Sequence, residues 1–230
     1  MGESNLARFL FLKALAAIYL VCFTCFYMQI PELWGNSGLL PASWFLGRVE
    51  EHLKRSKVPD SFLDKFSNVP TLAWLKDFNF TALLGKDEAE NWLYLCALIG
   101  IATSALALFK GKLFMNSAAF FFMFLCYLSL QKLGQTFMSF QWDMLLLEAG
   151  FLAVFYANLT GDYTTQSAWS VAIRELYRWS CFRFMMGSGH VKLLSQCPTW
   201  WGLTALEHHL QSQPLPKEEA WEMHNSLDGH

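Results

Sequence analysis

Long apolar runs without a charged residue limit the folds that are open to this chain. Residues 14–31, 91–109 and 113–131 contain no Asp, Glu, Lys or Arg. A helix rises about 1.5 Å per residue and the hydrocarbon core of a bilayer is about 30 Å thick, so about 20 apolar residues span it. Three runs of this length in 230 residues are unusual for a water-soluble protein.

Two further runs are apolar but carry charges. Residues 140–157 contain two carboxylates, and residues 179–194 contain three basic side chains. The whole chain is 54% hydrophobic and 16% charged, whereas a soluble domain has about 25% charged residues. Helices in lipid satisfy their own backbone hydrogen bonds. We therefore predict an all-α, polytopic membrane protein in contact with the bilayer, with four to five transmembrane helices and one lumenal loop that contains short helices.

Charge and motifs exclude several kinds of site. The formal net charge is −2, so the chain lacks the dominant basic field of a nucleic-acid binder. The spacing of His208, His209 and His224 fits no standard metal site. No nucleotide-binding, metalloprotease or hydrolase motif occurs. We therefore predict no catalytic residue, no metal and no cofactor.

Basic residues set the predicted orientation. Arg8 and Lys13 precede the first run, and the exit of that run lacks a small-residue cleavage site. This pattern favours an uncleaved signal anchor with a cytoplasmic N-terminus. The basic connection at 110–112 follows two crossings later, on the same side. The predicted parts are a signal-anchor transmembrane helix (1–31), a lumenal loop (32–90), transmembrane helices two to four (91–157), a cytoplasmic loop (158–178), a fifth transmembrane or interfacial helix (179–196) and a tail, lumenal if the fifth helix crosses (197–230).

Two glycosylation sequons test this topology. Asn79 begins Asn-Phe-Thr in the predicted lumenal loop, and Asn158 begins Asn-Leu-Thr on the predicted cytoplasmic side. Since the glycosylation machinery acts in the lumen, we predict a glycoprotein modified at Asn79 and not at Asn158.

Two smaller patterns concern a helix of the lumenal loop and the cysteines of the first span. Phe45, Val49 and Leu53 fall on one stripe of a predicted helix in the lumenal loop. Cys22 and Cys25 match a redox C-x-x-C pattern, but they lie in the first span. A redox pair needs a polarised and accessible thiolate, so we predict that both act as small apolar residues.

The carboxylates Asp143 and Glu148 carry the strongest chemical signal, because a charge inside a membrane segment is costly and functional by default. Five positions place them about 140° apart on a helix, so they do not form a close pair. Arg183 is the candidate partner. Two interpretations are open, namely a structural salt bridge between the fourth and fifth segments, or a proton relay. The predicted intramembrane polar cluster is Gln141, Asp143, Glu148, Arg183, His190 and Lys192, with Gly150, Gly187 and Gly189 as sites of close helix packing.

Four strings together resemble one known family. They are Trp-Gly-Asn-Ser-Gly-Leu-Leu-Pro-Ala at 34–42, Gln-Trp-Asp followed by Leu-Leu-Leu-Glu-Ala-Gly-Phe-Leu within 141–152, Arg-Phe-Met-Met-Gly-Ser-Gly-His-Val-Lys at 183–192, and Cys-Pro-Thr-Trp-Trp-Gly-Leu-Thr-Ala-Leu at 197–206. The chain resembles the lipase maturation factor family, and is closer to its second member than to its first. The resemblance implies a multi-pass membrane protein of the endoplasmic reticulum. It also implies a non-catalytic role in folding, assembling and secreting client lipases that are dimeric, such as lipoprotein lipase.

The resemblance also has departures. Family members are considerably longer, and the end of this chain at His230 is unlike their continuation. We therefore expect an N-terminal fragment or a short isoform. The membrane part also resembles that of vitamin K-dependent carboxylase, so the alternative is an integral-membrane enzyme or proton-coupled carrier using Asp143, Glu148, Arg183 and His190.

Overall fold

The computed structural model describes residues 3–59, 61–78, 88–111, 114–160, 168–212 and 217–227. The chain divides into two compact units, Met1–Arg178 and Trp179–His230, and each is described by itself. All regular secondary structure in the described residues is helical. The predicted all-α class is therefore confirmed.

The first unit contains the longest helices. Its elements are α1 (Glu3–Leu33), α2 (Ala42–Arg55), α3 (Phe62–Asn68), a 3₁₀ helix (Leu72–Phe78), α4 (Glu88–Phe109), α5 (Ser117–Leu133), a second 3₁₀ helix (Gln135–Met138) and α6 (Gln141–Tyr156). Helix α7 (Ala168–Leu194) begins in the first unit and ends in the second, which also contains α8 (Pro198–Trp201), α9 (Ala205–Gln211) and α10 (Glu218–Leu227).

Two of these helices are long and apolar enough to cross a membrane. They contain the stretches Asn5–Leu33, with 29 residues, and Ala89–Phe109, with 21 residues. Helix α5 is apolar but shorter, with 17 residues. The predicted total of four to five transmembrane helices stays a prediction.

Four helices of the first unit pack in the order α1, α4, α5, α6. Their shared core is aromatic. Tyr19 and Phe23 of α1 are fully buried, and their ring centroids lie 5.7 and 5.9 Å from that of Tyr127 on α5. A Cβ atom at Gly100 of α4 would overlap the Phe23 ring. The absence of a side chain at Gly100 therefore lets α1 and α4 approach closely.

One end of this bundle is held together by Arg8, which is 3% exposed. Its Nε donates to the carbonyl of Tyr156 at 2.7 Å, and its Nη2 donates to Oδ1 of Asn158 at 2.6 Å. The Ser117 hydroxyl at the start of α5 donates to the carbonyl of Ala157 at 2.8 Å. A cation is favourable at a helix carboxyl end. The starts of α1 and α5 and the end of α6 therefore share one end of the bundle.

Residues 34–59 and 61–78, here called the cap segment, are fixed to the opposite end. The Trp34 ring stacks on Phe26 with centroids 4.2 Å apart, and its Nε1 donates to the carbonyl of Gly134 at 3.1 Å. The hydroxyls of Thr71 and Ser129 lie 2.8 Å apart in a buried contact. Buried polar groups need such partners, so these hydrogen bonds fix the position of the cap segment on the bundle.

Helix α7 begins at Ala168, earlier than the predicted fifth segment at Trp179, and so it includes part of the predicted loop 158–178. Arg178 Nη1 lies 2.9 Å from Oε1 of Glu175, one helical turn away. This hydrogen bond lowers the pKa of the Glu175 carboxyl. Ion pairs of this spacing stabilise the first half of α7 slightly.

Candidate functional site

Asp143 lies in the first turn of α6 and is 8% exposed. Its Oδ2 accepts from the backbone N–H of Phe140 at 3.2 Å, and its Oδ1 accepts from the Tyr127 hydroxyl at 2.9 Å. The first N–H groups of a helix lack intrahelical partners and carry partial positive charge. A helix amino end and a tyrosine therefore stabilise this carboxylate, at the end of α6 rather than at its centre.

Tyr19 joins α1 to α6 beside this carboxylate. Its hydroxyl donates to the carbonyl of Leu146 at 3.1 Å. A Cβ atom at Gly150 would overlap that hydroxyl. Gly150, which the sequence singled out for close packing, therefore leaves the space through which Tyr19 reaches the α6 backbone.

Side chains of α1, α5, α6 and the second 3₁₀ helix line a cleft of about 270 Å³ beside this contact, here called the α1–α6 cleft. Cys22, Cys25 and Gln29 line it from α1. Tyr127 and Asp143 line it from the other side. Both cysteines therefore line the cleft, and the apolar role predicted for them stays a prediction. Trp34, Phe137 and Met138 lie at its end.

A second concave surface of about 650 Å³ lies on the cap segment, here called the α2 groove. Its exposed aromatic residue is Trp44, at 54% exposure, and the Arg48 guanidinium lies 4.8 Å from the centre of the Trp44 ring. The predicted stripe of Phe45, Val49 and Leu53 also lines it. The polar lining residues are Arg48, His52, Asn68 and Gln135.

The remaining α6 members of the predicted polar cluster differ in burial. Gln141 is exposed at the first position of α6, and Glu148 is partly buried in the middle of the helix. The predicted ion pair of Asp143 or Glu148 with Arg183 would join the two units. It stays a prediction.

The cluster members on α7 belong to the second unit. Arg183, His190 and Lys192 are exposed there. The Lys192 ammonium lies 4.7 Å from the centre of the Trp200 ring, which is typical of a cation–π contact. A Cβ atom at Gly187 or Gly189 would meet no atom within 4 Å in the described structure. The close helix packing predicted for these two glycines stays a prediction.

Of the two sequons, the one that begins at Asn158 lies within the described residues. Asn79 lies outside the described residues. The Asn158 side chain accepts from Arg8, and its backbone carbonyl accepts from the Ser117 N–H at 3.1 Å. Both interactions hold Asn158 against the bundle end.

Sequence reasoning missed the tyrosines of this site. The sequence predicts a basic partner for Asp143, whereas in the structure the Tyr127 hydroxyl donates a hydrogen bond to it. A signal was present, because a hydroxyl in an otherwise apolar span needs a polar partner in lipid. In the described part of the chain, no group of three or more His, Cys, Asp or Glu side chains could hold a metal ion.

Comparison with known proteins identifies the family. The family model for the lipase maturation factor transmembrane domain matches residues 6–228. The chain belongs to the lipase maturation factor family. It is thus a membrane protein, and the family predicted from its sequence strings is confirmed. No solved structure shows significant similarity to it.

Alignment with individual relatives shows what share of their length this chain covers. Lipase maturation factor 2 of Gallus gallus is 43% identical over 97% of this chain and 30% of the relative. The Homo sapiens protein of that name is 37% identical over 98% of this chain and 31% of the relative. Lipase maturation factor 1 of Homo sapiens is 31% identical over 98% of this chain and 37% of the relative. The chain thus spans about a third of the length of the curated relatives it matches.

Proposed function

We propose that this chain is the membrane part of an endoplasmic reticulum factor that assists folding, assembly and secretion of dimeric lipases such as lipoprotein lipase, and that it catalyses no reaction itself. The observation that carries the proposal is the family match over residues 6–228, together with relatives named lipase maturation factor. The names of these relatives state that they take part in lipase maturation.

The proposed topology has a cytoplasmic N-terminus, four or five membrane crossings and a lumenal segment 32–90. Arg8 and the end of α6 lie at one end of the bundle, and the cap segment lies at the other. This arrangement supports the proposed topology. If α1, α4, α5 and α6 cross the membrane in alternating directions, the start of α1 and the end of α6 lie on one side and the cap segment lies on the other. Basic residues near the N-terminus favour the cytoplasmic side.

We place client contact at the α2 groove. Its volume is in the range of typical binding pockets, about 300–1,000 Å³. Exposed tryptophan and arginine are the residues that most often dominate the binding energy of protein interfaces. Trp44 and Arg48 are adjacent in the groove and are held on a segment fixed to the bundle. A client segment with an apolar anchor and a nearby acidic side chain fits this chemistry.

Co-precipitation with tagged lipoprotein lipase in cells that express the full chain tests this site. The double variant Trp44→Ala, Arg48→Ala is expected to lower lipase recovery and secreted lipase activity at unchanged abundance. The matched control is Leu63→Ala, because Leu63 is 74% exposed in the same segment and does not line the groove. Unchanged recovery with the double variant would refute the assignment of the groove.

The alternative of a membrane enzyme or proton-coupled carrier predicts a different result. In that case Glu148→Gln abolishes activity while abundance is unchanged. In the proposed function the same substitution removes the charge of a partly buried carboxylate and acts through the amount of folded protein. A pulse-chase measurement together with secreted lipase activity separates the two outcomes.

A further inference from the structure

The α1–α6 cleft places polar side chains beside apolar ones between helices of the bundle. Cys25 lines the cleft and is exposed on α1, on the same helical face as Val21 and Met28. The neighbouring surface of α1 includes Val21 at 61% and Met28 at 72% exposure, as expected of a face in contact with lipid acyl chains. A molecule that enters the cleft from this side comes from the bilayer.

The inner wall of the cleft contains two side chains that can accept hydrogen bonds, Asp143 and Tyr127. Asp143 is 8% exposed, lines the cleft, and uses one lone pair on each oxygen for Tyr127 and for the Phe140 N–H. A carboxylate offers about four acceptor positions. The Tyr127 oxygen donates to Asp143 and can also accept. The wall can therefore receive hydrogen bonds from a ligand that donates them.

The dimensions of the cleft match a lipid head group rather than a whole lipid. Its volume of about 270 Å³ is slightly below the usual range for small-molecule pockets, which begins at about 300 Å³. A small head group fills such a space while its acyl chains remain in the bilayer beside α1. Gln29 and Cys25 at the α1 wall would border the point at which the chains leave.

We propose that the α1–α6 cleft binds the head group of a neutral lipid that carries a free hydroxyl, with that hydroxyl donating to Asp143. A fully esterified triacylglycerol has no donor for this carboxylate. A fatty acid anion would place a second carboxylate against Asp143, and like charges at this distance repel in a low-dielectric site. Diacylglycerol and cholesterol share the required hydroxyl.

Photolabelling of the full chain in phosphatidylcholine nanodiscs tests the proposal. The probe is a diacylglycerol with a photoactivatable acyl chain, and labelled residues are mapped by mass spectrometry. We expect labels on α1 near Cys25 and Gln29. Excess unlabelled diacylglycerol should compete, whereas trioleoylglycerol and oleate should not. A parallel competition with cholesterol shows which hydroxyl-bearing lipid binds better.

Two substitutions make the test specific. Asp143→Asn is expected to weaken labelling about tenfold, because a hydrogen bond to a charged group is lost. Cys25→Trp fills the cleft from an exposed position of α1, and so it blocks labelling without altering the buried core. The matched control is Met28→Trp, on an exposed position outside the cleft, which should label as the unmodified chain does.

Three results would overturn the proposal. Equal competition by trioleoylglycerol would mean that the cleft accepts acyl chains without regard to the hydroxyl. Stronger competition by oleate would mean that it prefers an anion. Equal labelling of Cys25→Trp and Met28→Trp would mean that the probe reacts elsewhere on the chain, and this comparison holds even if Asp143→Asn fails to fold.

Discussion

Replacing Gly150 by alanine should destabilise the bundle through a single contact. The new Cβ atom would overlap the hydroxyl of Tyr19, whose Cζ atom would lie 2.9 Å away. Tyr19 is fully buried and stacks on Phe23 with ring centroids 5.7 Å apart, so it cannot move aside without disturbing the aromatic core. We expect the substitution to separate α1 from α6 at this level.

The magnitude follows from three contributions. Overpacking a filled core costs about 1–3 kcal/mol. Loss of the hydrogen bond from Tyr19 to the carbonyl of Leu146 costs about 1 kcal/mol. Alanine in place of glycine inside a helix gains about 1 kcal/mol. The free energy of unfolding should therefore fall by about 1–3 kcal/mol. For a chain of this size the midpoint of thermal unfolding falls by about 2–4 °C per kcal/mol.

Thermal unfolding in detergent, followed by circular dichroism, measures the effect. The matched control is Gly187→Ala on α7, where the Cβ atom would meet nothing within 4 Å and only the gain in helix propensity applies. The double variant Tyr19→Phe, Gly150→Ala removes the overlapping hydroxyl, so its loss should be smaller than the sum of the single losses. The reasoning is refuted if Gly150→Ala is as stable as Gly187→Ala, or if the two losses at positions 19 and 150 add.

Three further predictions concern other parts of the chain. Arg8→Ala should lower the free energy of unfolding by about 2–4 kcal/mol, because two hydrogen bonds from a charged group are lost, one of them buried and one partly buried. Chemical denaturation measures this change, and a loss below about 1 kcal/mol would contradict the structural role of Arg8. Asn79→Gln should abolish the mass shift on glycosidase treatment, whereas Asn158→Gln should leave it, and the opposite result would invert the proposed topology. The hydrogen bond from Thr199 lowers the pKa of the Cys197 thiol, so Thr199→Val should raise that pKa and slow alkylation of Cys197 near neutral pH. The pH profile of iodoacetamide labelling checks this shift, and an unmoved midpoint would show that the hydrogen bond is absent in solution.

The helical class followed from the sequence because apolar runs of bilayer length allow few other structures. The stripe of Phe45, Val49 and Leu53 likewise follows from helical periodicity, and these residues line the α2 groove. The start of α7 did not follow, because the charged side chains of Arg174, Glu175 and Arg178 favour a loop over a membrane-spanning segment. Local pairs such as Glu175 with Arg178 stabilise that part of the helix instead.

Only part of the site could be predicted from the sequence. Asp143 and Gly150 stand out in the sequence because carboxylates and glycines in apolar spans call for a structural reason. Their partners Tyr127 and Tyr19 lie 16 and 131 positions away in the chain, and nothing in a one-dimensional pattern connects them. Pairing of this kind depends on how α1, α5 and α6 are placed around one another, which periodicity does not determine.

Substitutions where α1 crosses α6 and substitutions in the α2 groove should have different effects, because the two places are held by different hydrogen bonds. The cap segment is attached through Trp34 and Thr71 to Gly134 and Ser129, at the end of α5, whereas Tyr19 and Gly150 lie where α1 crosses α6. A substitution in the crossing should therefore act on the amount of folded protein and leave the surface of the α2 groove intact in the molecules that fold. A substitution of Trp44 should act on client recovery at constant amount. If both kinds of variant instead changed recovery per folded molecule, the groove and the bundle would be coupled, and the cap segment would not be the independent binding surface proposed for it.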